Sequence, residues 1–93
     1  MLRIRILEID EHIEEKIERE HGVTFLEADE VASSPTHYVR RGRNGVYLVF
    51  GQTDSGRYLL VVLAGHGAGL WRVVTARDMT MAERRLYRQE RRI

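Results

Sequence analysis

Cysteine is absent from the 93 residues, which excludes disulfides and thiolate metal sites and fits a reducing compartment. Proline occurs once, at Pro35, and lysine once, at Lys16, so every other basic side chain is arginine. No apolar run is long enough to cross a bilayer. Met1 to Ile9 do not form the continuous apolar stretch of a signal peptide, because Arg3, Arg5 and Glu8 interrupt them. No segment recurs at a solenoid period, and no Gly-, Ser- or Pro-rich stretch marks a disordered tail. These absences leave one globular domain over residues 1–93, expected in the cytoplasm, with no membrane contact and no cofactor.

Apolar residues make up 43% of the chain and charged residues 31%, a balance that allows one modest core. The net charge is only +1, yet it is unevenly spread. Residues 1–30 carry four basic and ten acidic side chains, whereas residues 31–93 carry eleven and four. The basic half is therefore all arginine, the side chain whose planar fork grips phosphate through two parallel hydrogen bonds. Codon bias in a GC-rich genome explains arginine over lysine equally well, but not why the arginines gather in the second half.

Leu2, Ile4 and Ile6 alternate with Arg3 and Arg5, which fits a short strand or an extended lead-in. From Asp10 to about Glu20 the period changes: Ile9, Ile13 and Ile17 recur every four residues, glutamates fill the outer face, and Asp10 can cap the start. His21-Gly22 ends this helix. Thr24 and Glu27 form a capping box for a second helix carrying Phe25, Ala28, Val31 and Ala32, which Ser33-Ser34-Pro35 stops.

Beyond Pro35 the residues become β-branched and aromatic, with glycine between runs, as in antiparallel strands joined by tight turns. Strands are expected at Thr36–Arg40, Val46–Gly51, Tyr58–Ala64 and Leu70–Thr75, with Asn44-Gly45 in the first turn. Leu59 to Leu63 are apolar on both faces, which places the third strand centrally. Thr80 and Glu83 form another capping box, opening a helix to about Gln89 with Ala82, Leu86 and Gln89 or Glu90 at core-like spacing. Arg84, Arg85, Arg88, Arg91 and Arg92 crowd that helix. The expected fold is α+β: two N-terminal helices, a four-stranded antiparallel meander and a C-terminal helix, with all helices on one face of the sheet.

Two stretches carry a resemblance to a known family. Leu7-Glu8-Ile9-Asp10 is similar to the opening Phe-Glu-Trp-Asp of the BrnT family, and the likeness continues through His21 to Ala28 and on to Pro35. Trp71-Arg72-Val73-Val74-Thr75-Ala76-Arg77, with Glu83-Arg84-Arg85-Leu86-Tyr87, resembles the family's Arg-Ile-Ile-Ser-Ala-Arg and terminal Glu-Arg-x-x-Tyr. Gly51 and the pattern Gly56 to Val62 lie between. The resemblance implies a RelE-like ribonuclease fold, an endoribonuclease toxin of a type II toxin–antitoxin pair that arrests translation, RNA as substrate, and a DNA-binding antitoxin of the BrnA type. Assembly is expected as a homo-oligomer or a toxin–antitoxin hetero-oligomer. The chain departs from the family where Lys and Asn of the first helix align with Ile13 and Ile17, and an acidic-Arg pair with Gly45 and Val46. Those departures motivate an alternative, a non-catalytic RNA- or protein-binding module of the same fold.

Metal-independent RNA cleavage needs a proton acceptor for the attacking 2′-oxygen and cations for charge gathering on the phosphoryl oxygens. Arg72 and Arg77 are the leading cations; either can instead pair with Glu8, Asp10 or Asp78 to tie the sheet to a helix. His21 is the candidate acid/base, since imidazole changes charge near neutral pH and it stands at a helix C-terminus, where a cation is favoured. A cap or an anchor for the next helix is its other role. Arg43, Arg84, Arg88 and Tyr87 are candidate substrate contacts, with capping and packing as the alternative for Glu83 and Tyr87. Tyr38, Tyr47, Tyr58 and Trp71 can stack on bases or pack in the core. His12, His37 and His66 have no partner at a ligand spacing, so no metal site is expected.

Overall fold

A computed structural model describes residues 2–91; Met1, Arg92 and Ile93, all included in the reading above, lie outside them. The elements run β1 (Ile6–Glu8), α1 (Glu11–His21), α2 (Phe25–Ser33), β2 (Tyr38–Arg41), a 3-10 turn (Arg43–Gly45), β3 (Val46–Gln52), β4 (Tyr58–Gly65), β5 (Leu70–Asp78) and α3 (Met81–Glu90).

The helix ends form as their local chemistry dictates. The Asp10 carboxylate accepts the His12 amide at 2.8 Å. Gly22, at φ 62°, adopts the left-handed conformation that lets its amide and that of Val23 return to the carbonyls of Glu18 and Ile17. Both expected capping boxes are present, Thr24 with Glu27 and Thr80 with Glu83.

The sheet is five-stranded and mixed, in the order β1-β5-β4-β3-β2. This corrects the expected four-stranded antiparallel meander. The meander from β2 to β5 is there, with β4 central, but β1 adds a parallel strand with Ile6, Leu7 and Glu8 opposite Leu70, Trp71 and Arg72. The alternation of Leu2, Ile4 and Ile6 fits an extended lead-in, with the strand itself starting only at Ile6; β1 exists because the open edge of β5 supplies its hydrogen-bond partners. β5 also runs three residues past its expected end, to Asp78.

The helices are not confined to one face, a second correction. Val49, Leu59, Val61, Leu63 and Val73 point to the side covered by α1 and α2 and join Ile17, Val23, Ala28 and Val31 in the main core. Phe50 and Leu60 point the other way and pack under α3 with Met79 and Tyr87. Strand alternation makes both faces of β3 and β4 apolar near this end, so each needs a cover. The inward set of α3 differs accordingly: Tyr87 is buried and Leu86 half-buried, while Ala82, Gln89 and Glu90 face solvent.

α3 covers only part of its face. Arg40, Arg72 and Val74 on the same face are exposed. Val74 is displaced outward by a bulge that breaks the β4–β5 register between Val62 and Leu63. Among the described residues no helix is long and apolar enough to cross a membrane.

Candidate functional site

Arg72 stands opposite Ala64 on β5, on the face that α3 leaves partly open. Its side chain is 49% exposed, and the nearest carboxylate, Glu8 on β1, is 3.9 Å away, a loose contact. Among the described residues no hydrogen bond fixes the guanidinium. It is free to meet an anion.

Arg77 shares the strand, opposite Leu60, about 16 Å farther along at the usual rise per residue. As the side chains stand, Arg72 is presented to an anion and Arg77 is engaged within the protein. Arg77 donates from Nη1 to Glu83 Oε1 at 2.8 Å and from Nη2 to Glu83 Oε2 at 3.0 Å, and Nη1 also reaches the Asp78 carbonyl at 3.0 Å. Those bonds hold the Glu83 carboxyl below its ordinary range, mainly through Arg77 and then through the Thr80 amide. The same carboxylate drives the Arg77 guanidinium further toward its charged form.

His21 ends α1 on the opposite face of the sheet, half-buried. Its carbonyl accepts Arg57 Nη2 at 3.2 Å. Arg57 is a hub that the sequence reading did not single out. It donates to Asp78 from Nε at 2.9 Å and Nη2 at 3.1 Å, to the Gly22 carbonyl at 2.8 Å and to both Glu27 oxygens at 3.3 Å. Arg57 thus joins the end of α1, the start of α2 and the end of β5. It lowers the Asp78 carboxyl, chiefly by its hydrogen bond; Glu27 is lowered first by the Thr24 amide and then by Arg57. Arg77 makes the sheet-to-helix tie expected of it, though to Glu83 rather than to Glu8, Asp10 or Asp78, and Arg57 makes a second tie through Asp78 and Glu27.

The remaining candidates fall into two places. Arg43 is exposed in the turn between β2 and β3, beside Asn44 and Gly45 at φ 59° and 76°. On α3, Arg84 and Arg88 stack on the Tyr58 ring, with guanidinium carbons 4.9 and 5.3 Å from its centroid. Arg88 Nε and Nη2 each lie 3.3 Å from the Tyr58 hydroxyl, and this donation pulls the phenol below its usual value, with Arg91 and Arg84 adding to it. Tyr87 is fully buried, its hydroxyl 3.0 Å from Thr36 Oγ1. Reaching a phosphate would require α3 to lift.

The structure therefore does not gather Arg72, Arg77 and His21 into one constellation. It builds a cationic, partly open face around Arg72, a locked Arg77 and a separate arginine clasp on Tyr58. Among the described residues, no group of three or more His, Cys, Asp or Glu side chains is placed to hold a metal ion. Ile17 is buried in the main core and Ile13 packs against it, so neither family-divergent position contributes a polar group.

Comparison with known proteins bears on this arrangement. A family profile described as "Ribonuclease toxin, BrnT, of type II toxin-antitoxin system" matches residues 10–83. The crystal structure of the Brucella abortus ribonuclease toxin, BrnT, superposes with a TM-score of 0.67 over 82% of this chain and 100% of that one, at 14% identity. That likeness is one of fold. No curated protein matches the sequence.

Proposed function

The chain belongs to the BrnT family of ribonuclease toxins of type II toxin–antitoxin systems, and we propose that it cleaves RNA without a metal ion, inhibits translation in the cytoplasm, and is neutralised by a DNA-binding antitoxin of the BrnA type. Family membership implies RNA as the substrate and a cognate antitoxin as the partner. The observation that carries the finer reading is the exposed Arg72 guanidinium, 3.9 Å from its nearest carboxylate on the uncovered end of the sheet.

In this mechanism the ribose 2′-oxygen attacks the adjacent phosphorus in line and the 5′-oxygen of the next nucleotide leaves. Arg72 neutralises the charge that builds on the non-bridging oxygens, a contribution that grows toward the transition state. Arg40 and Arg43, exposed on β2 and in the following turn, offer charge to the flanking backbone. Arg84 and Arg88 extend the cationic track along α3. Arg77 joins the phosphate contacts only when Glu83 yields it, and His21, across the sheet from Arg72, is not placed to move a proton at the same phosphate.

Two observations favour a second reading, a binding module that keeps the fold and antitoxin surface without cleavage: Arg77 is engaged by Glu83, and His21 lies across the sheet from Arg72. Incubating purified protein with single-stranded RNA, with and without chelator, separates the two. Cleavage that persists in chelator and is lost in Arg72→Ala supports the nuclease. RNA that is bound but left whole by the wild type assigns the module.

A further inference from the structure

The loop end of the sheet carries a second feature, on the opposite face from Arg72. Trp71 on β5 pairs with Gly65 on β4, and Tyr47 on β3 pairs with Leu63, two residues before Gly65. Because Gly65 has no side chain, the two rings meet across it. Their centroids are 5.3 Å apart at 85°, and a Cβ at Gly65 would lie 3.1 Å from the Trp71 ring. The Trp71 indole N–H donates to the Arg3 carbonyl at 3.0 Å, which fixes the ring's orientation. On the far side of Tyr47, its cross-strand partner Arg41 lies 5.6 Å above the ring and donates to the phenol oxygen at 3.2 Å.

The indole, the glycine and the phenol line a cleft of about 450 Å³, and Arg41 stands beyond Tyr47 on a neighbouring cavity of about 190 Å³ that shares Tyr47 and Gly45 with it. Gly67 and Gly69 line the larger cleft with Arg3 of the N-terminal segment, and among the described residues no carboxylate does. Both rings stay only half-buried, whereas Val49 and Leu63 on the same face are covered by the helices.

We infer that this cleft is a stacking site for an unpaired nucleobase of single-stranded RNA, with Arg41 holding the adjacent phosphate. Three properties favour that ligand. Sheet-borne aromatic rings stack on any base. Exposed arginine beside a ring takes a phosphate by two parallel bonds, and among the described residues no carboxylate forms an ion pair with Arg41. A cleft of this size suits one nucleoside-sized group, whereas a duplex keeps its bases stacked on each other. The site rests on the proposed RNA substrate, and deepens it: bases splayed into the cleft would register the strand while its backbone crosses the sheet edge toward Arg43 and Arg72.

Trp71 is the single tryptophan, so its emission reports the cleft directly. The test titrates the full chain with a 2′-O-methyl RNA hexamer, uncleavable because the 2′-oxygen is blocked, and follows both Trp71 emission and the anisotropy of a fluorescein label on the RNA. Expected are saturable quenching by the single strand, weak quenching by the same sequence as a duplex, roughly tenfold weaker binding by Tyr47→Leu, and roughly threefold weaker binding by Arg41→Gln. Arg41 is exposed, so its variant keeps the test valid if Tyr47→Leu melts early. RNA binding with unchanged Trp71 emission, equal quenching by duplex, or wild-type affinity in both variants overturns the stacking site. Protection of Trp71 by the antitoxin alone, with RNA silent, overturns it and assigns the face to protein docking. Cleavage of unmodified RNA, assayed alongside, then decides whether the nuclease reading survives; loss of cleavage and binding together removes both.

Discussion

Arg77 and Glu83 are joined by two parallel hydrogen bonds of 2.8 and 3.0 Å, so the last strand and the last helix are tied by a charged pair. Arg72, five positions earlier on that strand, has no such tie. The two arginines of one sequence motif thus do different work.

Replacing each by alanine is expected to separate those roles. Arg77→Ala removes about 1 kcal/mol of stability, discounted because Arg77 is partly in water, and lowers the melting temperature by several degrees. Arg72→Ala changes stability by less than about 0.5 kcal/mol but reduces RNA cleavage about a hundredfold and lowers the salt dependence of RNA binding by about one charge. Thermal melts and a salt series check both.

Arg57→Leu is expected to be among the most damaging single changes outside the apolar core. It strips Asp78 and Glu27 of their cation and leaves the carbonyls of His21 and Gly22 without a donor. The pairs are partly exposed, so the expected loss is about 2–3 kcal/mol rather than the larger cost of a sealed ion pair. Urea unfolding measures it, with an unchanged denaturant slope showing that the fold is retained.

Stability should fall on acidification in two stages. His37 is buried, and among the described residues neither ring nitrogen makes a hydrogen bond of good geometry; burial lowers its proton affinity, offset in part by the nearby carbonyls of Ala32 and Val31. The unfolded chain takes up this proton near pH 6.5 and the folded chain only at lower pH. Unfolding therefore binds a proton below that point, and stability drops as pH falls through it. Glu27, Asp78 and Glu83, all lowered by their partners, add a second loss below the ordinary carboxylate range. Melting temperatures from pH 8 to pH 3 should show both stages, and His37→Leu should remove only the first.

The two capping boxes lie on different helices with no shared partner, so Thr24→Ala and Thr80→Ala should each cost about 1 kcal/mol and add in the double variant. A double-mutant cycle by chemical denaturation reads this directly. A strong interaction energy would mean that α2 and α3 communicate through the sheet.

What could be read in advance was local. Asp10, Gly22 and the two Thr–Glu boxes act within a few residues, and each helix begins and ends near the position they mark. The central place of β4 was legible because Leu59 to Leu63 are apolar on both faces. What was hidden depends on partners far along the chain: β1 has only three residues and needs β5 to exist, while Arg57 finds its partners 21 to 36 residues away. Which face α3 covers could not be deduced from its own spacing, since Leu86 and Tyr87 needed Phe50 and Leu60 to receive them. At the site, Arg72 and Arg77 were identifiable as cations. That Glu83 would engage one and leave the other required the turn at Met79 and Thr80, which folds α3 back over the strand.

The pairing of β1 with β5 bears on when the protein can become active. Residues 6–8 leave the ribosome roughly sixty positions before the strand that receives them, and contacts so distant in sequence are slow to form. Arg72 lies on that late strand. A ribosome-bound chain has neither the partner of β1 nor Arg72 until residues 70–78 have been made, so any activity that depends on Arg72 waits for that strand.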